Sequence, residues 1–195
     1  MTVRFIAGVF LACTLLFGLS ACEGVGVSSR VSTVAVPLEI PPDVQNEGST
    51  GQAPRDVDYI VVQKKDRILS IWKDGRLLKA YPILALGANP VGQKVYEGDE
   101  RTPEGQYYIS EMHVSQNFQK FLEISYPNDH DRKIAQRFGM SPGGHVGIHG
   151  DRGGVSGFFQ RFDKSWTDGC LALRNDDVED LYGKVVVGTP IILKP

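Results

Sequence analysis

Arg67-Ile68-Leu69-Ser70-Ile71-Trp72-Lys73-Asp74-Gly75-Arg76-Leu77-Leu78-Lys79-Ala80-Tyr81-Pro82-Ile83 is the stretch from which the fold is read. Two β-prone runs, Arg67 to Trp72 and Arg76 to Ile83, flank Asp74-Gly75. An Asp-Gly pair in that setting signals a tight hairpin, because both central positions of the turn favour φ > 0. The surrounding sequence has the same character. Tyr59-Ile60-Val61-Val62 is another short β-prone run, and Gln106 to Ser110, Phe121 to Ser125 and His145 to His149 read as further strands. The last of these alternates, with His145, Gly147 and His149 on one face and Val146 and Ile148 on the other. Val185 to Val187 and Ile191 to Leu193 bracket Gly188-Thr189-Pro190 and are expected to form a final hairpin or bent pair. Two short helices are expected. One runs from about Asp129 to Phe138 and stops at Gly139; the other has Asn175 as N-cap, Asp176 and Asp177 in its first turn, and stops at Gly183. The sum is a mainly β domain with small peripheral helices, spanning residues 58–195.

The residues before it read differently. Met1 to Arg4 carries one basic side chain, and Phe5 to Leu19 is apolar apart from Thr14 and two glycines. Residues 1–21 have the layout of a secretory signal whose apolar core is short for a membrane span. Leu19-Ser20-Ala21-Cys22 resembles the lipobox of bacterial lipoproteins. That resemblance implies that Cys22 is the lipidated mature N-terminus and that Cys13 is discarded; the alternative is an ordinary cleaved signal with an accidental Cys22. Glu23, rather than an Asp, favours the outer over the inner membrane of the periplasm. Residues 22–57 contain Pro37, Pro41, Pro42 and Pro54 with Gly48-Ser49-Thr50-Gly51, and read as a tether. As a random coil it spans on the order of 30 Å.

Composition bounds the partners. The chain has 21 basic residues, one of them (Arg4) in the leader, so 20 remain against 23 acids, a net charge near −3. That balance excludes nucleic acid and provides no polybasic membrane patch. Hydrophobic content of 42% is ordinary for a globular domain with a sizeable core, expected here as a monomer.

Cys170 carries the chemical argument. With Cys13 removed and Cys22 lipidated, it has no partner for an internal disulfide, and an unpaired thiol in an oxidising compartment points to a nucleophile. A thiol attacks a carbonyl as thiolate, and a neighbouring imidazole takes its proton. His149 ends a predicted strand, followed by Gly150, and twenty-odd residues of loop can return Cys170 to it. Asp168-Gly169-Cys170 reads as a tight turn whose backbone N–H groups, at Gly169 and Cys170, can face a developing oxyanion. The intervening Asp151 to Phe159 is glycine-rich, then aromatic, and reads either as a lid or as a solvent loop. His145 and His149 with Cys170 have the composition of a metal site, but on a strand the two histidines stand far apart for a shared ion. No metal or cofactor is expected. His113 and His130 read as solvated, and Trp166 as a packing residue behind the nucleophile turn.

Ile148-His149-Gly150 followed by Thr167-Asp168-Gly169-Cys170-Leu171-Ala172-Leu173 resembles the signature of the L,D-transpeptidase catalytic domain, the YkuD-like family. Ala85-Leu86-Gly87-Ala88-Asn89-Pro90 and Gly98-Asp99-Glu100-Arg101-Thr102-Pro103-Glu104-Gly105 resemble its Leu-Gly and Gly-Asp-x-x-Thr-Pro-x-Gly elements. Tyr126-Pro127-Asn128 with Asp131, and Gly143-Gly144, resemble the Gram-negative murein transpeptidase branch. The resemblance implies a β-sandwich-like catalytic domain. It implies Cys170 as nucleophile, His149 as base and later acid, Gly150 orienting the imidazole through its carbonyl, and the Gly169 and Cys170 amides at the oxyanion. The substrate so implied is a peptidoglycan stem peptide, cleaved after its third residue through a thioester. Asp168 stands where many members have His, and Ala172 where many have Arg or Asn; Arg174 can partly substitute. Arg152 and Arg161 flank the loop between base and nucleophile and are the candidates for substrate carboxylates, with Asp168 and Arg174 beside the turn. Three functions stay open: L,D-transpeptidation to a stem or protein amine, hydrolysis of the same linkage as carboxypeptidase or amidase, and non-catalytic wall binding. The Thr102-Gly105 segment is expected to be structural, with Glu104 as surface charge.

Overall fold

The computed structural model describes residues 56–151 and 166–195. The signal sequence, Cys22 and nearly all of the tether, with Arg152, Arg161 and the glycine-rich loop beyond Asp151, lie outside the described residues.

The Asp74-Gly75 hairpin forms as expected. Asp74 has φ 49° and Gly75 φ 71°, and they join β2 (Ile68–Lys73) to β3 (Arg76–Pro82) with Lys73 opposite Arg76. Both positive φ values match the right-handed twist of the flanking strands. β1 (Tyr59–Gln63) pairs antiparallel with β2 and parallel with β8 (Pro190–Lys194). β4 (Gly105–Ser115) continues from β8 and pairs onward with β5 (Gln119–Ile124), then β6 (Gly147–His149) and β7 (Leu171–Ala172). The order across the curled eight-stranded sheet is β3-β2-β1-β8-β4-β5-β6-β7.

Period-2 burial builds the core in rows. Ile71, Ile60, Ile191 and Tyr107 lie side by side across four strands, and Leu69, Val62 and Leu193 across three, all nearly inaccessible to solvent. Beyond β4, Leu122, Ile148 and Leu171 form the corresponding row. Each such aliphatic side chain stabilises the fold by about 1.5–3 kcal/mol relative to exposure. The two halves meet on β4: Gly105–Tyr108 pairs with β8, and the residues from Ile109 onward pair with β5 across a register shift between Ile109 and Glu111.

Helix α1 (Asp129–Arg137) is capped by Asn128, whose side chain accepts from the Asp131 amide while the Asp131 carboxylate accepts from the Asn128 amide, a capping box. Asp131 is buried and also accepts from Tyr107 Oη at 3.0 Å and Gln93 Nε2 at 2.8 Å, which ties the helix to β4. Helix α2 (Asn175–Tyr182) buries Val178 and Leu181 and packs on β5 and β6.

Four local expectations are corrected. Val185–Val187 is not a strand; Thr189 Oγ1 accepts from the Val186 amide, making a turn, and β8 pairs instead with β1 and β4. β4 runs five residues past Ser110, because its polar outer part is held by pairing with β5. His145 does not extend β6: its φ of 54° turns the backbone, so the alternation starts at Gly147. Asn175 is the first residue of α2 and not its cap; Arg174 holds the N-cap position without a side-chain hydrogen bond.

Candidate active site

β6 and β7 run parallel, with Ile148 opposite Leu171 and His149 opposite Ala172. That register sets Cys170 beside Gly147. Because alternate residues share a face, Cys170 and His149 fall on the same side of the pair, one step apart. Both line one open cleft of about 700 Å³.

The His149 side chain is only 2% exposed, and its Nδ1 lies 2.7 Å from the Gly150 carbonyl oxygen. A carbonyl can only accept, so Nδ1 carries a proton, and in the neutral ring Nε2 then holds the lone pair. The ring sits among three aromatics: Phe118 at 4.3 Å, Trp166 at 5.5 Å, and Phe121 at 5.8 Å and nearly parallel. Trp166 packs against the imidazole and lines the cleft.

Cys170 is partly accessible, with Sγ 3.6 Å from the His145 carbonyl. Burial pushes its thiol up to about 11, against support from the Gly147 N–H; the Asp168 and Glu123 carboxylates add to the rise and Lys94 opposes it. That rise favours the thiol over the thiolate at neutral pH.

The turn bearing Cys170 is gripped by the upstream motifs. Gly169 has φ 135°, and a Cβ there would meet the Arg101 carbonyl at 2.6 Å, so only glycine fits. Thr167 Oγ1 donates to the Cys170 carbonyl at 2.7 Å. The segment around Gly87 runs beside the turn: Ala88 donates its N–H to Thr167, Leu84 donates to Ala172, and Ala172 donates to Ala85. Thr102 is fully buried and accepts the Gly87 N–H at 3.1 Å, so its motif is structural as expected. Glu104, expected as surface charge, instead takes a 2.8 Å ion pair from the buried Lys64.

Lys94 and Asp99 form a second buried pair at 2.7 Å, side chains 4% and 5% exposed, with Lys94 facing the cleft. Burial alone would raise the Asp99 carboxyl, but hydrogen bonds from Lys94 and the Val95 and Arg101 amides outweigh it and hold the group below its usual range. Sequence reasoning did not find Lys94; its only signal is a lysine five residues before the Asp of a motif.

Residues 57–193 match the model of the L,D-transpeptidase catalytic domain. The chain belongs to that family. No curated protein matches it. Among solved structures it is similar to the helical cell shape determining protein Pgp2 from Campylobacter jejuni, at 27% identity and TM-score 0.58, over 71% of this chain and 47% of that one. The K307A mutant of the same protein aligns at 24% identity and TM-score 0.54, over 74% and 49%. An Enterococcus faecium L,D-transpeptidase C442S mutant aligns at 18% identity and TM-score 0.45, over 72% and 50%. The chain thus spans about half the length of the solved relatives it matches.

Within this L,D-transpeptidase domain the remaining candidates are placed as follows. Asp168 is exposed and lines the cleft with Glu97 and Glu100. Arg174 is exposed at the start of α2 and is not among the cleft-lining residues, because the chain turns into the helix after Leu173. His145 is also at the cleft, but its side chain is 92% exposed and lies 3.4 Å from Glu123. His145 and His149 do not share a strand face, and among the described residues no group of three His, Cys, Asp or Glu side chains could hold a metal.

Proposed function

We propose that the protein is a cysteine-dependent L,D-transpeptidase of the Gram-negative murein branch, acting on peptidoglycan stem peptides. The observation that carries this reading is the pairing of Cys170 and His149 on one face of β6 and β7, in one cleft, with the imidazole tautomer fixed by Gly150.

His149 Nε2 takes the Cys170 proton as the sulfur attacks the carbonyl between the third and fourth residues of the stem. The carbonyl π pair moves to oxygen, where the Gly169 and Cys170 amides stand. Collapse expels the fourth residue as an amine, protonated by the imidazolium, and leaves a thioester. An acceptor amine then gives its proton to His149 and attacks the thioester, releasing the Cys170 sulfur and forming the new amide. The carboxylates of Glu97, Glu100 and Asp168 around the cleft suit an approaching ammonium-bearing acceptor.

Export by residues 1–21 and lipidation of Cys22 would place this domain in the periplasm, on the outer membrane, with residues 22–57 as its reach. Palmitate labelling lost in Cys22→Ser checks the anchor.

The test of activity incubates the full-length chain with defined tetrapeptide muropeptides and reads products by mass. Crosslinked dimers are expected. Tripeptides alone would mean that water is the acceptor, and no change in any muropeptide would reject the catalytic reading. Cys170→Ala is expected to abolish turnover while retaining the fold.

A further inference from the structure

Gly150 is held at both of its backbone groups. Gly150 donates its N–H to the Phe118 carbonyl at 3.1 Å, and its own carbonyl receives Nδ1 of His149. Asp151 follows, only 2% exposed, and its Oδ1 accepts from Asn175 Nδ2 at 2.8 Å. A carboxylate only accepts, so the Asn175 amide must present its nitrogen to Asp151 and its oxygen to the other side. That oxygen is buried without a hydrogen-bond partner and is packed against Gly150, where a Cβ would collide with it.

This is an unusual use of an asparagine at a helix start. Such a residue ordinarily caps the helix, yet α2 is left without a side-chain cap and Asn175 points back to β6. The buried acceptor is an unfavourable feature that capping does not offset. Asn175 also belongs to the nucleophile's own segment, five residues after Cys170, and Leu173 in between donates its N–H to the His149 carbonyl at 2.8 Å.

We propose that Asn175, through Asp151, is a positioning residue that fixes the Gly150 peptide plane and so the tautomer and rotation of His149 relative to Cys170. The inference rests on the reading of Cys170 as nucleophile and His149 as base.

The test follows acylation of Cys170 in the full-length chain by a carbapenem, read on the Cys170 peptide by mass across the neutral pH range. Asn175→Ala is expected to slow acylation about ten- to a hundredfold at saturating carbapenem, with little change in half-saturation. In ¹⁵N-histidine spectra the Nδ1–H form of His149 should lose its dominance. Asn175→Asp, which keeps the volume, sets two carboxylates together and should be slow at neutral pH, recovering as pH falls. The exchange Asp151→Asn with Asn175→Asp restores the amide-to-carboxylate bond in reverse and should return the rate to within a few fold of the parent. A purely structural contact would lower the melting temperature but leave the pH profile, tautomer and rate per folded molecule alone, and that result overturns the proposal. If Asn175→Ala does not fold, failure of the exchange to outperform Asn175→Asp overturns it equally. If the parent chain is not acylated at Cys170, or His149→Gln is acylated as fast as the parent, the underlying reading fails instead.

Discussion

Lys64 and Lys94 are both buried, both paired with a carboxylate from the same Gly98–Gly105 motif, and yet they serve opposite sides of it. Lys64 donates to the Gly92 and Thr102 carbonyls at 2.8 and 2.9 Å and to Glu104, so two of its N–H groups pin the motif to the end of β1 and the third holds Gly92. Burial lowers its pKa, and the Glu104 pairing only partly restores it. Lys94 uses Asp99 and the Tyr96 carbonyl, and its ammonium borders the cleft about 3.9 Å from where a Gly169 Cβ would stand. One motif therefore has a structural lysine behind it and an electrostatic one in front, and burial alone does not distinguish the two.

Mutations separate them. Lys64→Met strands the Glu104 carboxylate and should cost about 3–5 kcal/mol, seen as a large fall in denaturation midpoint, with the Cys170 titration unmoved. The division fails if Lys64→Met shifts that titration as far as Lys94→Met does. Next in size is the thiol itself. Its folded pKa is raised above the ordinary value, so its contribution is complete below pH 9 and is lost as pH climbs to about 11. Cys170→Ala should remove at most about 2–3 kcal/mol of that alkaline destabilisation, measured as the difference in urea midpoints between pH 8 and pH 11. Lys94→Met should slow Cys170 acylation at neutral pH about tenfold, or about 1.4 kcal/mol, and raise the thiol further. At the small end, Lys73 and Asp58 form an exposed pair at 3.5 Å, and Lys73→Ala should change stability by less than about 1 kcal/mol. A larger loss there would mean that exposure is not what ranks the ion pairs.

Legibility in the sequence followed range. The Asp74-Gly75 turn, α1 and the strand runs were readable because their determinants lie within a few residues: two positions with φ > 0, a first turn of acids, alternating apolar side chains. β7 was missed because two residues carry no period of their own; Leu171–Ala172 is a strand only because β6 lies beside it. The turn at Val185–Gly188 misled because three valines carry high β propensity, which tertiary pairing overrode. At the candidate site, residue type and motif singled out Cys170, His149 and Gly150, and the structure brings Cys170 and His149 to one cleft with Nδ1 against the Gly150 carbonyl. Lys64 with Glu104, Lys94 facing the cleft, and Asn175 with Asp151 depend on contacts that no local pattern encodes, and Asn175 was misread because its residue type promises a cap.

β8 is threaded between β1 and β4, so the two halves of the sheet, β3-β2-β1 and β4-β5-β6-β7, are joined only once Pro190–Lys194 has been made. A ribosome delivering this chain in order cannot close the sheet early. Until then each half presents an unpaired strand edge, a surface that pairs with other chains unless a chaperone covers it.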